Sequence, residues 1–470
     1  WAACFPILGA TMDILFVTPS LTPFPVGAGP AEASAALAKA LRNLGHRVSI
    51  CAPYPEEPDA SLTGLARRLD PLVIEIGGKA DQVHVHDGRS AAGIEWTLLE
   101  HPALVDLYEE GEAGLYAQAV LGRACTALLA RERAFDAVHF HGEETALGCA
   151  MVALEQRLST VFSVYSLSAP LRFDAHAARK LGVEPLLDHS NMLCPLLSAI
   201  ALARRVTTSV PQRMLETEAA AGESSVARAL RGRGGDLSAV LGGLDSAIWN
   251  PLTDGHLFAR YTPLDLGGKG RNKAMLQSEL KLEVDPDVAL LGSVESGTGA
   301  ARVEAIAQEL VRTDVQLVIQ VLDEDAECID RLIALSERMP HRLKVRLGDS
   351  QMRAHRIIAA SDALLLASDR PALAMASQRY GTLPVARKHT AAAESIVDLD
   401  PKLASGSGLL YDDRSNEAFL AGARRAIAAF NRGLPFEKLR ARLMRTDHSW
   451  ERAGRAFEHL YMQAGDIQAA

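Results

Sequence analysis

Short apolar runs alternate with stretches whose apolar residues recur every three or four positions, from one end of the chain to the other. The runs predict buried strands, and the stretches predict helices packed by one face. "DILFVTP", beginning at Asp13, is the first run; a helix is predicted from about Pro30 to Leu44, and "HRVSICAP" follows it. Together they read as a βαβ unit whose helix ends at Gly45. "AVHFHG", "TVFSVYS", "RRVTTSV" and "LSAVLGG" continue the series. The expected class is α/β, a doubly wound parallel sheet of Rossmann type. The polar stretch "WNPLTDGHLFARYTPLDLGGKGRNK" then breaks the rhythm. After it "VALLGSV", "VQLVIQV", "LKVRLGD", "ALLLAS" and "TLPVARK" begin a second series.

Two Rossmann-like domains facing each other across a cleft are therefore expected, at residues 12–255 and 285–440. A linker is expected at 256–284, and residues 441–470 as a C-terminal helix packing back across both domains. A (β/α)₈ barrel would need no such interruption. "LETEAAAGESSVARALRGRGG" (Leu215 to Gly235) reads as a mobile loop region. Residues 1–11 are apolar without a charged leader, and read as a non-native or misassigned extension rather than a signal peptide.

Composition narrows the function. A chain of 470 residues is long for one hydrophobic core. Its 48% apolar and 23% charged residues are those of a globular protein. The net charge of −9 argues against a nucleic-acid partner. No uninterrupted apolar run reaches about 18 residues, so neither a membrane-spanning helix nor a membrane partner is expected. Six cysteines without a CxxC pair fit reduced thiols in the cytoplasm.

The candidate chemistry lies at the ends of the predicted strands. "VGAGPAEAS" sets Gly27, Ala28 and Gly29 in a turn that runs into a helix, where backbone N–H groups form a weak anion site. It carries no lysine or arginine, and a plain β-to-α turn is the simpler reading. "VESGTG" lacks the Gly-Lys-Ser/Thr ending of a P-loop and also reads as a plain turn. His139 and His141 project from one face of a strand, as metal ligands would, and "VHVHDG" repeats the pattern with His84, His86 and Asp87. "LDEDAE" (Leu322 to Glu327) reads as a solvated turn.

Collinear motifs resemble those of bacterial glycogen synthases and plant starch synthases, retaining glucosyltransferases of the two-Rossmann-domain GT-B fold. "VLGGLDSAIWNPLTD" is similar to the family's Asn-Gly-Ile-Asp-x-x-x-Trp-Asn-Pro-x-Thr-Asp, and "RRVTTSVP" to its Asp-Arg-Val-Thr-Thr-Val-Ser-Pro. "DVQLVI", "AHRIIAASDALLLAS", "RYGTLPVARK" and "DHSWERAGRAFEHLY" match in order and spacing, so the resemblance covers roughly residues 12–465. It implies metal-independent transfer from a nucleotide sugar, ADP-glucose or UDP-glucose, to a glucan, with no further cofactor. His139 and His141 belong to the resemblance, which accounts for them without a metal.

The departures concentrate in the motifs that carry the family's chemistry. Lys-x-Gly-Gly-Leu is replaced from Val26 to Pro30, which removes the lysine. Gly-Arg-Leu-x-x-x-Lys-Gly keeps Gly292 and Gly299, but Ser293 stands for the arginine and Thr298 for the lysine. Charged hydrogen bonds contribute about 1.5–3 kcal/mol each, so the loss of two weakens diphosphate binding by about 3–6 kcal/mol. Arg370-Pro371 fall where the family's essential Glu-Pro stands, in a loop shortened by about three residues. "HTAAA" (His389 to Ala393) replaces Thr-Gly-Gly-Leu, whose backbone faces the donor; Thr390 and Ala391 lie in it. Tyr165 stands where the family has a histidine beside the reacting sugar, and Glu144 where it has another.

His139, His141, Glu144 and Tyr165 are accordingly the expected sugar-cleft residues, and Arg370, Arg387 and Lys388 the compensating cations. The resemblance implies a glycogen-synthase-like protein without transferase activity, whose scaffold binds a glucan or a protein partner. The alternatives are an active transferase of altered specificity, and a metal-dependent hydrolase built on the His-x-His strands.

Overall fold

The computed structural model describes residues 11–21, 28–55, 64–90, 93–131, 134–155, 158–167, 169–210, 215, 224–323 and 327–465. These fall into two compact units, Trp1–Gly242 with Trp450–Ala470, and Gly243–Ser449.

The first unit is built on β1 (Asp13–Val17), β2 (Arg47–Pro53), β3 (Lys79–Arg89), β4 (Glu95–Glu100), β5 (Ala137–His141), β6 (Thr160–Val164), β7 (Arg205–Thr208) and β8 (Leu237–Ala239). Their order across the sheet is β8-β7-β6-β5-β1-β2-β4-β3. Six of the seven pairings are parallel, and β3 with β4 is antiparallel. Alternation along β1 shows why both faces need cover: Ile14 and Phe16 join one core, Leu15 and Val17 the other. Helix α1 (Ala28–Asn43) and the C-terminal helix (Trp450–Gly465) close the first face, while α2 (Glu112–Arg131) and α3 (Ala146–Glu155) close the second.

Three expectations change here. The antiparallel edge, with Ala66–Arg67 and Leu72–Ile76 also pairing β3, was not anticipated. Val83 and Val85 are buried while His84 and His86 are only half-buried, the alternation of a strand at a sheet edge. The segment read as a mobile loop contains a helix, Ser225–Gly232, with the Ser224 hydroxyl accepting the Ala227 N–H (3.1 Å); residues 216–223 lie outside the described ones. Finally, α2 is long and apolar enough by length and composition to cross a membrane. Arg123 interrupts its apolar run without lowering its average much, and Leu115, Val120, Leu121 and Leu128 are buried in the core.

The second unit contains β9 (Ala289–Glu295), β10 (Val315–Val321), β11 (Leu343–Leu347), β12 (Ala363–Leu365), β13 (Leu383–Arg387) and β14 (Leu409–Tyr411), all parallel. The order β11-β10-β9-β12-β13-β14 reverses direction between β9 and β12. Open α/β sheets receive ligands at such a reversal, outside the carboxyl ends of the strands.

Residues 256–284, read above as a linker, lie within this unit, and Gly267–Glu279 forms α4. Its polar residues are buried with partners: Lys269 Nζ donates to the Ala359 carbonyl (3.0 Å) and Thr382 Oγ1 (2.8 Å), and the Asn272 amide to the Ala259 carbonyl (2.6 Å). Polar composition here therefore marks a hydrogen-bonded core rather than a solvated connection. The Trp-Asn-Pro motif has the same framework role. Trp249 stacks on His355 (3.9 Å between ring centres), and Asp254 Oδ2 takes hydrogen bonds from Tyr380 (2.6 Å) and His355 Nδ1 (2.7 Å). Of residues 441–470, those up to 449 belong to the second unit and the helix to the first.

Candidate functional site

In the second unit a cavity of about 300 Å³ opens at the carboxyl ends of β9, β12 and β13. β9 carries an apolar run to the edge of this cavity and ends in a carboxylate. Glu295 is fully buried; its Oε1 accepts the N–H groups of Ala367 (2.8 Å) and Ser368 (3.4 Å), and its Oε2 the Ser368 hydroxyl. Gly299 leaves room for it, since a Cβ there would run into the carboxylate and meet the Ser368 Cβ at 3.2 Å. Burial raises the Glu295 pKa, and the hydrogen bonds and the Arg370 charge oppose the rise.

Three arginines line the cavity from three elements. Arg302 stands in the second turn of α5 (Gly297–Val311); its guanidinium donates to the Ala367 carbonyl (2.8 Å) and lies against the rings of Tyr411 and Phe419. Arg387 ends β13, and Arg414 follows β14 in the turn before the helix Asn416–Phe430. Burial lowers the Arg387 pKa, and the neighbouring charges of Arg414 and Arg302 lower it further. The lining carboxylate is Asp369. Its two oxygens accept the N–H groups of Ala391 (2.9 Å) and Ala392 (2.8 Å). His389 precedes them with a left-handed backbone (φ 61°), a conformation histidine adopts more readily than most residues.

The residues expected from the sequence are thus divided. Thr298, Arg387 and Thr390 line the cavity. Ala391 presents its N–H, already taken by Asp369. Ser293 does not face the cavity: it is fully buried and donates to the Leu365 carbonyl (3.0 Å). Gly292 is a packing position, where a Cβ would strike Ser361 and Ile357. Lys388 is paired with Asp412, and Arg370 stands at the N-cap position of the helix Pro371–Arg379 without a side-chain capping bond. Gly27 lies outside the described residues, while Ala28 and Gly29 form the start of α1. Glu295, Arg302 and Arg414 were missed. Only Glu295 left a signal, a carboxylate closing an apolar run four residues before a glycine.

The first unit holds the other group. His139 is fully buried, with Nδ1 hydrogen-bonded to the Tyr461 hydroxyl and Nε2 to Ser163 Oγ, each at 2.7 Å. His141, equally buried, bonds through Nδ1 to the Tyr165 hydroxyl (2.9 Å). Burial lowers both histidine pKa values, that of His141 to about 3, and raises those of Glu143, Glu144 and Tyr165. His141 Nε2 and Glu144 Oε2 are buried without a hydrogen-bond partner among the described residues. The metal-hydrolase reading gains no support. Both His139 nitrogens are engaged, His86 bonds Glu100 (2.7 Å), and no cluster of three metal-binding side chains occurs among the described residues.

Comparison with known proteins follows this geometry. Residues 13–231 match the starch synthase catalytic domain family. A glycogen synthase of Anaeromyxobacter sp. (strain Fw109-5) is 30% identical, with 96% of this chain and 99% of that protein aligned. Glycogen synthase 2 of Geobacter sulfurreducens is 27% identical over 97% of this chain and 100% of that one. Among solved structures, the catalytic domain of starch synthase IV from Arabidopsis thaliana, bound to ADP and acarbose, superposes with a TM-score of 0.84. It is 21% identical and covers 97% of this chain and 100% of its own, a likeness of fold.

Proposed function

Because the chain belongs to the glycogen and starch synthase family of GT-B glycosyltransferases, we propose that it keeps the family's scaffold as a binding, regulatory or assembly module without glucosyl transfer. One observation carries the reading. Where the resemblance places donor-facing backbone N–H groups, Asp369 fills both, and where it places a phosphate-gripping arginine, Ser293 is buried against Leu365. Retaining transfer needs donors at the leaving diphosphate and a group steadying the developing positive charge. Catalytic groups act as a unit, so their joint loss leaves little rate.

By likeness to the relatives, ADP-glucose or UDP-glucose is the donor to test and a glucan the acceptor or ligand. Five free, buried cysteines among the described residues support a reducing, cytoplasmic setting. The deciding experiment measures incorporation of labelled glucose from either donor into glycogen, beside an intact relative. Background incorporation supports the proposal; a rate near the relative's overturns it. The second reading, an active transferase of altered specificity, rests on the arginine-lined cavity at the sheet's switch point. It requires consumption of some nucleotide sugar, lost on Arg387→Ala.

A further inference from the structure

We infer that Gln378 is a positioning residue: its amide joins the loop His389–Ser395 to the segments by which the chain enters and leaves the second unit, so that loop and segments shift together. This goes beyond the reading above, which concerns lost chemistry, and it stands whether or not glucose is transferred. Thr390 of this loop lines the cavity, and the N–H groups of Ala391 and Ala392 are held by Asp369. The helix Pro371–Arg379 holds the loop from both of its ends. Asp369 lies just before the helix, and Gln378, its penultimate residue, donates through Nε2 to the Ser395 carbonyl (2.8 Å). The nine helical residues form a stiff spacer of about 13 Å between the two attachments.

The same amide is engaged on its other side. A carbonyl only accepts, so the amide nitrogen faces Ser395 and Oε1 faces His448, whose Nε2 therefore carries the hydrogen (3.0 Å). Gln378 and His448 are both buried, so water does not replace either bond unless the core opens. The chain enters this unit at Gly243 and leaves it after Ser449. The two segments pair with each other: the Leu244 N–H donates to the His448 carbonyl (2.6 Å), and Leu244 and Ser449 form a parallel bridge. Arg379 fixes the end of the helix to both, donating to the Met444 carbonyl (3.1 Å) and to Asn250 Oδ1 (3.3 Å). Of these contacts, the one at Gln378 continues to the loop. A displacement of the paired segments therefore reaches the loop through one amide, and by reciprocity the state of the loop biases the segments.

Hydrogen exchange of the full chain, followed by mass spectrometry on peptides covering residues 389–396, tests the coupling. The loop offers bonded amides at Ala391, Ala392, Ala393 and Ile396. Gln378→Met keeps the bulk and removes both bonds. It should speed loop exchange about tenfold, the scale of one buried hydrogen bond. His448→Phe should speed the same peptides, although it alters neither the loop nor the helix. His448→Gln, which again offers an N–H donor, should return exchange toward the wild-type rate. Both positions act through one amide, so the double variant Gln378→Met with His448→Phe should exchange no faster than the faster single variant. Unchanged loop exchange in a folded Gln378→Met variant overturns the proposal. So do an effect of Gln378→Met without one of His448→Phe, additive effects, or no recovery in His448→Gln. If Gln378→Met does not fold, the two His448 variants decide alone. Exchange is read without substrate and glucose incorporation separately, so failure of this coupling and failure of the non-catalytic reading are distinguishable.

Discussion

At Asp369 one carboxylate holds two backbone N–H groups and places a negative charge in an arginine-lined cavity. Asp369→Ala removes the charge and frees both donors for a ligand. Charge-assisted bonds contribute about 1.5–3 kcal/mol, so pyrophosphate affinity should rise about tenfold in calorimetry. A fall in affinity would show instead that Asp369 organises the site. His139 and His141 make a second residue-scale prediction. Unfolded, each takes up a proton near pH 6.5; folded, each resists it, His141 down to about 3. The stability this contributes is complete above about pH 6.5 and is lost as pH falls below it, for His141 down to about 3, at up to about 1.4 kcal/mol per pH unit for each histidine. Glu143, Glu144 and Glu295, raised by burial, act in the opposite direction at lower pH, so the comparison between variants carries the test. Melting temperatures from pH 7.5 to 5 should decline less steeply in His141→Gln than in the wild type; parallel curves would refute the assignment.

Among the elements, the C-terminal helix is returned by the chain to the first unit and completes its core. Phe457, Leu460 and Tyr461 pack with Ile14, Phe16 and Leu37, and the Ser159 hydroxyl donates to the Ala464 carbonyl (2.6 Å). The Tyr461 hydroxyl is the polar member of this contact, bonded to a histidine with no exposure to water. Tyr461→Phe keeps the ring and leaves His139 Nδ1 without that partner. It should cost about 1–3 kcal/mol, read as a lower urea midpoint with unchanged slope. A change within error would mean that His139 finds another partner. Helix α4 makes the complementary point: its stability comes from buried Lys269 and Asn272 with their partners, in a segment whose composition suggested a connection.

For the molecule as a whole, recognition of an anion and transfer of a sugar are separable demands. Thr298→Lys restores one cation of the family motif at a cavity-lining position. It should strengthen pyrophosphate binding several-fold yet leave glucose incorporation at background, because the Glu-Pro glutamate and the glycine pair are still missing. Incorporation rising with affinity would return the chain to the active transferases.

What the sequence by itself determined is local and periodic. Apolar runs such as "VQLVIQV" have one stable use, a strand covered on both faces, and collinear motifs such as Trp249-Asn250-Pro251 carried the family and with it the two-sheet fold. The losses at Ser293 and Thr298 were legible for the same reason, since a motif assigns a residue type to a position. Only the tertiary structure decided which groups meet. Arg302, Arg387 and Arg414 are far apart in the chain and share a cavity because the order of parallel strands brings a helix, a strand end and a turn together. His139 and His141 are neighbours in the sequence, yet their partners Tyr461 and Tyr165 are set beside them only by the fold, because burial depends on what packs over a strand end. Hydrophobic periodicity records which side of an element avoids water; it carries no record of the distant side chains that the folded sheet sets beside it.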